Sequence, residues 1–196
     1  PRSLMRILVA TDAWHPQVNG VVRTLQQLGE ELTKLGHEIR YVTPQDFVTI
    51  PAPTYPEIRL AVWPWGWMGK VIRDFAPSAI HIATEGPLGL VARNYCVRHN
   101  LPFSTSFHTR FPEYINARFG TPVSWGYRFL RWFHGPATTM MVATRSLQEE
   151  MVQRRFPSTA IWSRGVDVEL FRPRPDLKKG DFLGLPRPIW LYVGRV

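Results

Sequence analysis

Short apolar runs alternate with segments of helical periodicity along most of this chain, and that alternation limits the folds open to it. The first run, residues 7–10, is typical of a buried parallel strand. Apolar residues then recur at helical spacing over residues 20–35, which predicts an amphipathic helix closed by Gly36. Strands separated by helices of this length need crossover connections, so we expect a doubly wound α/β domain with a parallel sheet.

The same pattern continues to about residue 163. Further strands are predicted at residues 39–43, 58–62, 79–83, 103–107, 139–143 and 160–163, and further helices at residues 88–99 and 145–155. Residues 44–56 are rich in proline, which predicts a long irregular loop.

The composition shifts once, after Arg164. Residues 171–188 carry several prolines and little apolar periodicity, which is typical of a linker. Residues 189–193 then read as a new apolar strand with nothing behind it to bury its side chains. We therefore expect an N-terminal domain at residues 1–170, a linker, and the first strand of a truncated second domain at residues 189–196, in a piece of a longer protein.

The composition is that of a folded globular domain. The 196 residues are 44% hydrophobic and 20% charged, which separates the chain from disordered sequences. No apolar run approaches the roughly 18 residues of a membrane-spanning helix, and the first residues lack the apolar core of a signal peptide. Cys96 is the single cysteine, which excludes an internal disulfide and favours a reducing, cytoplasmic compartment.

The charge balance predicts a partner that carries phosphate. The formal net charge is +9, which attracts nucleic acid, anionic lipid and nucleotides alike. The sequence contains no helix-turn-helix, zinc-finger or RNP motif, so no nucleic acid partner is expected. Basic residues stand beside aromatic rings at residues 63–73 and 125–134, a composition that favours a membrane interface. Rings packed inside the domain explain the first segment equally well, and a partly buried helix explains the second better.

Ligands of open α/β sheets bind beyond the carboxyl ends of the strands, and two motifs fall there. Asn19-Gly20 opens the first helix, whose N–H groups and dipole favour an anion such as phosphate, and Gly20 lets that anion approach the backbone. A capping asparagine beside a turn glycine explains the same residues. His108 follows the strand at residues 103–107, where it is either a structural histidine or a hydrogen-bond donor to a ligand.

The sequence lacks the motifs of several common types of enzyme and metal site. A Gly-x-Gly-x-x-Gly turn after the first strand, a Walker A sequence and a Gly-x-Ser-x-Gly nucleophile elbow are all missing. Cysteine and histidine are not spaced as zinc ligands. The sequence therefore argues against dinucleotide binding, P-loop chemistry, hydrolysis of the elbow type and a structural zinc site.

Four segments together resemble a known family. They are Asp-Ala-Trp-His-Pro-Gln-Val-Asn-Gly at residues 12–20, Ser-Phe-His-Thr-Arg-Phe-Pro-Glu-Tyr at 106–114, Ser-Arg-Gly-Val-Asp-Val-Glu-Leu-Phe-Arg at 163–172 and Tyr-Val-Gly-Arg at 192–195. In order and spacing they resemble glycosyltransferase family 4, from about Arg6 to the last residue. The resemblance implies a retaining, sugar-nucleotide-dependent enzyme with two Rossmann-like domains (the GT-B fold), of which this chain would hold the N-terminal, acceptor-side domain.

The resemblance also implies roles for three residues on the donor side. The family histidine that matches His108 lies over the donor sugar, which makes His108 the candidate catalytic residue. Gly20 would approach the diphosphate, and Arg195 would begin the clamp that neutralises it. Such an arginine stabilises the leaving nucleoside diphosphate through charge-assisted hydrogen bonds without a metal, so no metal or other cofactor is expected.

On the acceptor side the candidates are Asp12, Glu85, Thr109, Arg110 and Tyr114. Arg110 could equally be a salt-bridged surface residue, and Asp12 could equally order its own loop through the backbone. Many relatives carry a histidine-rich motif where this chain has Thr84-Glu85, and that departure leaves the acceptor chemistry open.

The resemblance as a whole implies transfer of a mannosyl- or glucosyl-type residue from a nucleoside-diphosphate sugar to a lipid or glycan acceptor. Together with the basic aromatic segments, it predicts a cytoplasmic enzyme bound peripherally to the anionic inner face of the membrane. Two other functions stay open: a sugar-nucleotide epimerase of the same fold, and a non-catalytic module that binds anionic membrane.

Overall fold

A six-stranded parallel sheet is the main sheet of the described structure. The computed structural model describes residues 3–52, 55–62, 64–173 and 188–192. The strands are β1 (Arg6–Ala10), β2 (Glu38–Val42), β3 (Thr49–Ala52), β4 (Tyr55–Ala61), β5 (Ala79–Ile82), β6 (Ser104–Phe107), β7 (Thr139–Val142) and β8 (Thr159–Ile161). The helices are α1 (Gly20–Lys34), α2 (Trp65–Phe75), α3 (Pro87–Arg98), α4 (Phe111–Phe119), α5 (Val123–His134) and α6 (Arg145–Gln153).

The strand order of the large sheet is β2-β1-β5-β6-β7-β8, and every neighbouring pair in it is parallel. Helices connect the successive strands of this sheet, so the expected α/β, Rossmann-like fold is confirmed. Since parallel strands all run the same way, their carboxyl ends lie at one edge, and the loops that leave that edge can share a site.

Helices bury both faces of the central strands. Leu8 of β1 belongs to an apolar cluster with Met68 of α2 and Leu88 of α3. Val9, the next residue of the strand, packs instead with Leu25 of α1. Successive side chains of a strand point to opposite faces, so a strand covered on both sides must be apolar throughout.

The proline-rich segment is more ordered than its composition indicated. The irregular loop predicted at residues 44–56 is wrong, because Pro44–Asp46 forms a 3-10 turn and β3 follows it. The strand predicted at residues 58–62 overlaps β4, but β4 pairs antiparallel with β3 in a separate two-stranded sheet and does not join the parallel one. Both strands of such a ribbon have a free edge, and a free edge tolerates a proline such as Pro51.

The helices α2 and α4 were not predicted from the apolar pattern. In α2, Met68 is fully buried and the Trp67 ring packs against the core beside Phe47. Trp65 of the same helix is 55% exposed. Of the two explanations for residues 63–73, ring packing inside the domain therefore holds for Trp67.

The segment at residues 125–134 lies in α5, and the partly buried helix predicted there is confirmed. Its inner face buries Tyr127, Leu130, Phe133 and His134. Its outer face leaves Trp125 68% exposed and Trp132 51% exposed. None of the helices in the described parts of the chain is long and apolar enough to cross a membrane.

The chain divides into two compact units, Pro1–Arg164 and Gly165–Val196. The strands and helices named above all lie in the first unit. Most of the predicted linker, at residues 174–187, and the end of the predicted last strand, at residues 193–196, lie outside the described residues. Residues 189–192 are described and are not assigned to a strand.

Candidate functional site

The carboxyl edge of the sheet carries the loops that the sequence singled out. Asp12 follows β1, Glu85 follows β5, His108 follows β6 and Arg164 follows β8, while α1 begins at Gly20 beside the same edge. Some of these side chains bind other groups of the protein, and others do not. The hydrogen bonds and contacts of each residue therefore show whether it is available to a ligand.

The residue before Gly20 caps α1. The Asn19 Oδ1 atom accepts hydrogen bonds of 3.0 Å from the backbone N–H groups of Val21 and Val22. The capping asparagine, one of the two explanations for this motif, is therefore present. Because the cap already satisfies two N–H groups of the first turn, the helix end alone offers less to an anion than an uncapped one would.

The guanidinium of Arg164 lies against Gly20. A Cβ atom added to Gly20 would lie 2.9 Å from the Arg164 Nη1 atom, so a side chain at position 20 would displace the arginine. The sequence motifs gave Arg164 no role in the site. The two residues are far apart in sequence, so no local periodicity could have paired them.

His108 and Arg164 line one narrow cleft. The cleft encloses about 10 Å³, and Thr24 and Trp162 also line it. The His108 and Trp162 rings lie 6.2 Å apart between centroids. The His108 Nε2 atom is buried and has no hydrogen-bond partner. A buried ring nitrogen without a partner is costly, and a polar group of a ligand is one way to satisfy it.

Burial keeps His108 neutral. Burial, and secondarily the positive charge of Arg164, lowers the pKa of His108 from 6.5 to about 4. At neutral pH the ring therefore carries one N–H group and one acceptor nitrogen, and it bears no charge. Such a ring can donate a hydrogen bond to a sugar hydroxyl or to an oxygen that gains negative charge.

A second histidine, His81, lies on the neighbouring strand β5, and no sequence motif indicated a role for it. The His81 Nδ1 and Nε2 atoms lie 2.9 Å and 2.8 Å from the hydroxyl oxygens of Ser104 and Ser106. Burial, and secondarily His108, lowers the pKa of His81 to about 3. The His81 ring also packs edge-on against Trp162, 5.8 Å between centroids, so it supports one wall of the cleft.

The sequence did contain a signal for this buried histidine. β6 reads Ser-Thr-Ser-Phe, which is polar for a strand at the centre of a parallel sheet. Buried hydroxyl groups need partners, and here both partners are histidines. Ser104 and Ser106 meet His81, and Thr105, on the other face, lies 2.9 Å from the Nδ1 atom of His134.

The Asp12 carboxylate holds the start of α3. It accepts hydrogen bonds from the Thr84 hydroxyl at 2.8 Å and from the backbone N–H groups of Leu88 and Gly89 at 2.9 Å and 3.3 Å. Burial raises the pKa of Asp12, while these hydrogen bonds oppose the shift. Neither role expected for Asp12 describes this geometry, because the carboxylate binds the loop after β5 and the start of α3 and not the backbone of its own loop.

Glu85 also turns inward. Its Oε1 atom lies 3.3 Å from the Nε2 atom of His134, and the side chains of the two residues are 8% and 0% exposed. The acceptor contact expected for Glu85 would require this carboxylate to leave His134. In the described structure, Glu85 lies against the last turn of α5, and neither its Oε1 atom nor the His134 Nε2 atom makes a hydrogen bond.

Arg110 and Tyr114 lie on the surface at the start of α4. The Arg110 guanidinium donates to both carboxylate oxygens of Glu150, and Glu150 also accepts from Arg154. The salt-bridged alternative for Arg110 thus describes the arrangement found. Tyr114 is 67% exposed. The carbonyl oxygen of Thr109 accepts a hydrogen bond from the backbone N–H group of Phe111.

The structure therefore brings together His108, Gly20 and Arg164, and it gives Asp12, Glu85 and Arg110 partners within the protein. Arg195 lies outside the described residues. Among the residues described, no three His, Cys, Asp or Glu side chains lie close enough to share a metal ion.

Comparison with known proteins matches this chain to one family. The family model described as Glycosyltransferase Family 4 matches residues 18–170. Similar proteins include GDP-mannose-dependent alpha-mannosyltransferases of Mycobacterium tuberculosis, 25% identical, and Mycolicibacterium smegmatis, 26% identical, each over 98% of this chain and 56% of the relative. An alpha-monoglucosyldiacylglycerol synthase of Streptococcus pneumoniae is 26% identical over 57% of the chain and 28% of its own length.

The chain thus spans about half the length of the mycobacterial relatives that it matches. The family match begins in the loop between β1 and α1 and ends beyond β8, so it includes Gly20, His108 and Arg164. The chain belongs to glycosyltransferase family 4.

Proposed function

We propose that this chain is the acceptor-side part of a retaining glycosyltransferase that moves a mannosyl- or glucosyl-type residue from a nucleoside-diphosphate sugar. The observation that carries the proposal is the alignment of 98% of the chain with proteins named GDP-mannose-dependent alpha-mannosyltransferases. The position of His108 supports it, because its unpartnered Nε2 atom lies at the ligand edge of the sheet.

In this proposal His108 contacts the donor sugar as a neutral hydrogen-bonding group. A neutral ring suits a site next to a diphosphate, because it can orient a hydroxyl without adding a proton-dependent charge. The leaving phosphate takes the proton of the acceptor, which is the retaining mechanism implied by the family. Arg195 belongs to the diphosphate clamp, and no metal is required for the charge that it supplies.

The acceptor in this proposal is a lipid or glycan. One similar protein is named a monoglucosyldiacylglycerol synthase, which favours a lipid. The outer face of α5 also fits a membrane surface, because Trp125, Phe129 and Trp132 are exposed there beside Arg128. If this face meets the membrane, Trp125→Ala lowers binding to vesicles that contain phosphatidylglycerol, whereas Val152→Ala on α6 does not. Vesicle binding that does not depend on the anionic lipid content argues against a role at an anionic membrane surface.

The activity test uses the complete protein with labelled GDP-mannose and UDP-glucose, with and without a bacterial lipid extract. We expect label to enter the lipid fraction and to be lost in His108→Ala. His99→Ala serves as the matched control, because His99 lies at the far end of α3 and stacks on Tyr95.

Two results would redirect the proposal. Release of nucleotide together with an altered free sugar, in the absence of any acceptor, would indicate an epimerase. Failure to turn over any donor, combined with binding to anionic vesicles, would indicate a non-catalytic membrane-binding module.

A further inference from the structure

Arg164 carries a charge that nothing in the described part of the chain neutralises. Its side chain is exposed and has no hydrogen bond or ion pair with the described residues. The guanidinium nevertheless lies against Gly20, at the positive end of the α1 dipole. Asn19 caps this helix end, but the guanidinium adds a full positive charge beside it, so this position favours an anionic ligand.

The acidic side chains of the same edge do not supply that partner. The Asp12 carboxylate is bonded to Thr84 and to the first turn of α3. The Glu85 carboxylate faces His134. Both carboxylates lie against other groups of the protein, so neither balances the charge of Arg164, although the Glu85 Oε1 atom makes no hydrogen bond.

The neighbouring cleft fits a single oxygen atom. Its enclosed space of about 10 Å³ is close to the minimum that holds one water molecule. Arg164 and His108 both line that space, and the His108 Nε2 atom has no partner. An oxygen that carries negative charge would accept from the guanidinium, and it would also accept from Nε2 when that nitrogen bears the ring proton.

We propose that Arg164 binds a phosphate group of the sugar nucleotide, with one phosphate oxygen reaching the cleft beside His108. The inference rests on the proposed function and adds to it a phosphate-binding residue at the end of β8. A guanidinium presents parallel N–H donors that match two phosphate oxygens, and phosphate supplies the missing negative charge. Gly20 takes part by leaving room for the guanidinium.

The first test measures binding of GDP and of UDP to the complete protein by calorimetry. We expect Arg164→Ala to weaken binding of the nucleotide that the wild type prefers by about 10- to 100-fold, the range of a lost charge-assisted contact. Arg164→Lys should recover part of this loss, since it restores the charge without the planar fork. Arg98→Ala, an exposed arginine at the far end of α3, should bind like the wild type.

A steady-state measurement separates binding from a structural effect. If Arg164 holds phosphate, the KM for the sugar nucleotide rises in Arg164→Ala and binding of the nucleotide loses part of its dependence on salt. A wild type that binds GDP or UDP while Arg164→Ala binds it equally well overturns the role of Arg164 and leaves the proposed function standing. A wild type that binds neither nucleotide overturns the proposed function and this inference with it.

The pairing with Gly20 provides an independent check. Gly20→Ala should weaken nucleotide binding in the wild-type background, because a Cβ atom there displaces the guanidinium. In the Arg164→Ala background, the same change should add little, since its target is already gone. Losses that simply add would contradict the assigned role of Gly20.

Discussion

At the scale of single residues, the edge of the sheet contains two kinds of polar side chain. The Asp12 carboxylate is buried and accepts hydrogen bonds from the protein, and the Glu85 carboxylate is turned inward against His134, although its Oε1 atom makes no hydrogen bond. His108 is half-buried with an unsatisfied nitrogen, and Arg164 is exposed without a partner among the described residues. Asp12 and Glu85 thus lie against other loops of the protein, whereas His108 and Arg164 are available to a ligand. All four residues follow strands at the same edge of the sheet, so their positions in the sequence do not separate the two roles.

Asp12→Ala tests the structural role of the first kind. The change removes the acceptor for the N–H groups of Leu88 and Gly89, so we expect the free energy of unfolding to fall by about 1–3 kcal/mol. Urea denaturation measures this, with Asp74→Ala on the exposed side of α2 as the control. A loss below about 0.5 kcal/mol, the usual size of a surface effect, would show that Asp12 does not hold α3 in place.

At the scale of elements, close contact between helix and strand fixes where the edge loops lie. α3 runs so close to the loop after β5 that a Cβ atom on Gly89 would overlap the carbonyl oxygen of Thr84. Arg93 of the same helix donates to the carbonyl oxygens of Phe133 and Trp132 at the end of α5. These contacts orient the segments that carry Glu85 and His134.

Gly89→Ala measures how much that close packing matters. We expect a loss of about 1–3 kcal/mol or more in the free energy of unfolding, because the Thr84 carbonyl oxygen belongs to the backbone and cannot rotate away. Gly66→Ala is the matched control, since Gly66 is exposed in α2 with open space around its Cβ position. That control should be neutral or gain up to about 1 kcal/mol from helix propensity. Equal effects of the two changes would contradict the packing argument.

At the scale of the whole molecule, the sheet and its helices keep two histidines uncharged at neutral pH. Folding lowers the pKa of His81 from 6.5 to about 3 and that of His108 from 6.5 to about 4. At pH values between 6.5 and the lowered pKa of each histidine, the unfolded chain therefore binds more protons than the folded chain. The pKa of Asp12 is raised above its ordinary value of 3.8, so above that value this group acts in the opposite sense.

Stability should consequently fall as the pH drops below about 6.5, the ordinary histidine pKa, and continue to fall toward the lowered values. Each fully shifted histidine contributes a slope of up to about 1.4 kcal/mol per pH unit in this window. His81→Asn should flatten the slope between pH 6 and pH 4, because the change removes the ring whose pKa the fold lowers. Urea denaturation over that pH range measures the slope, and an unchanged slope in His81→Asn would show that His81 is not held neutral by the fold.

The local features of this protein were determined by the sequence alone. Apolar runs identified the buried strands, Asn19 and Thr144 cap their helices, and Gly36 ends α1 with a positive φ of 84°. These features depend on residues within one or two turns, so periodicity and residue type are sufficient to predict them. The family resemblance, which rests on motifs in a set order, likewise required no structure.

The partners of the site residues were decided only by the tertiary structure. The hydrogen bond from the Leu88 N–H group to the Asp12 carboxylate joins residues that are 76 positions apart, and no local sequence pattern predicts it. Whether a carboxylate or a guanidinium faces a neighbour or a ligand depends on which strands lie side by side, and here the order is β2-β1-β5-β6-β7-β8. For that reason Glu85 was expected at the acceptor and is found against His134, whereas Arg164 had no expected role in the site and is found against Gly20.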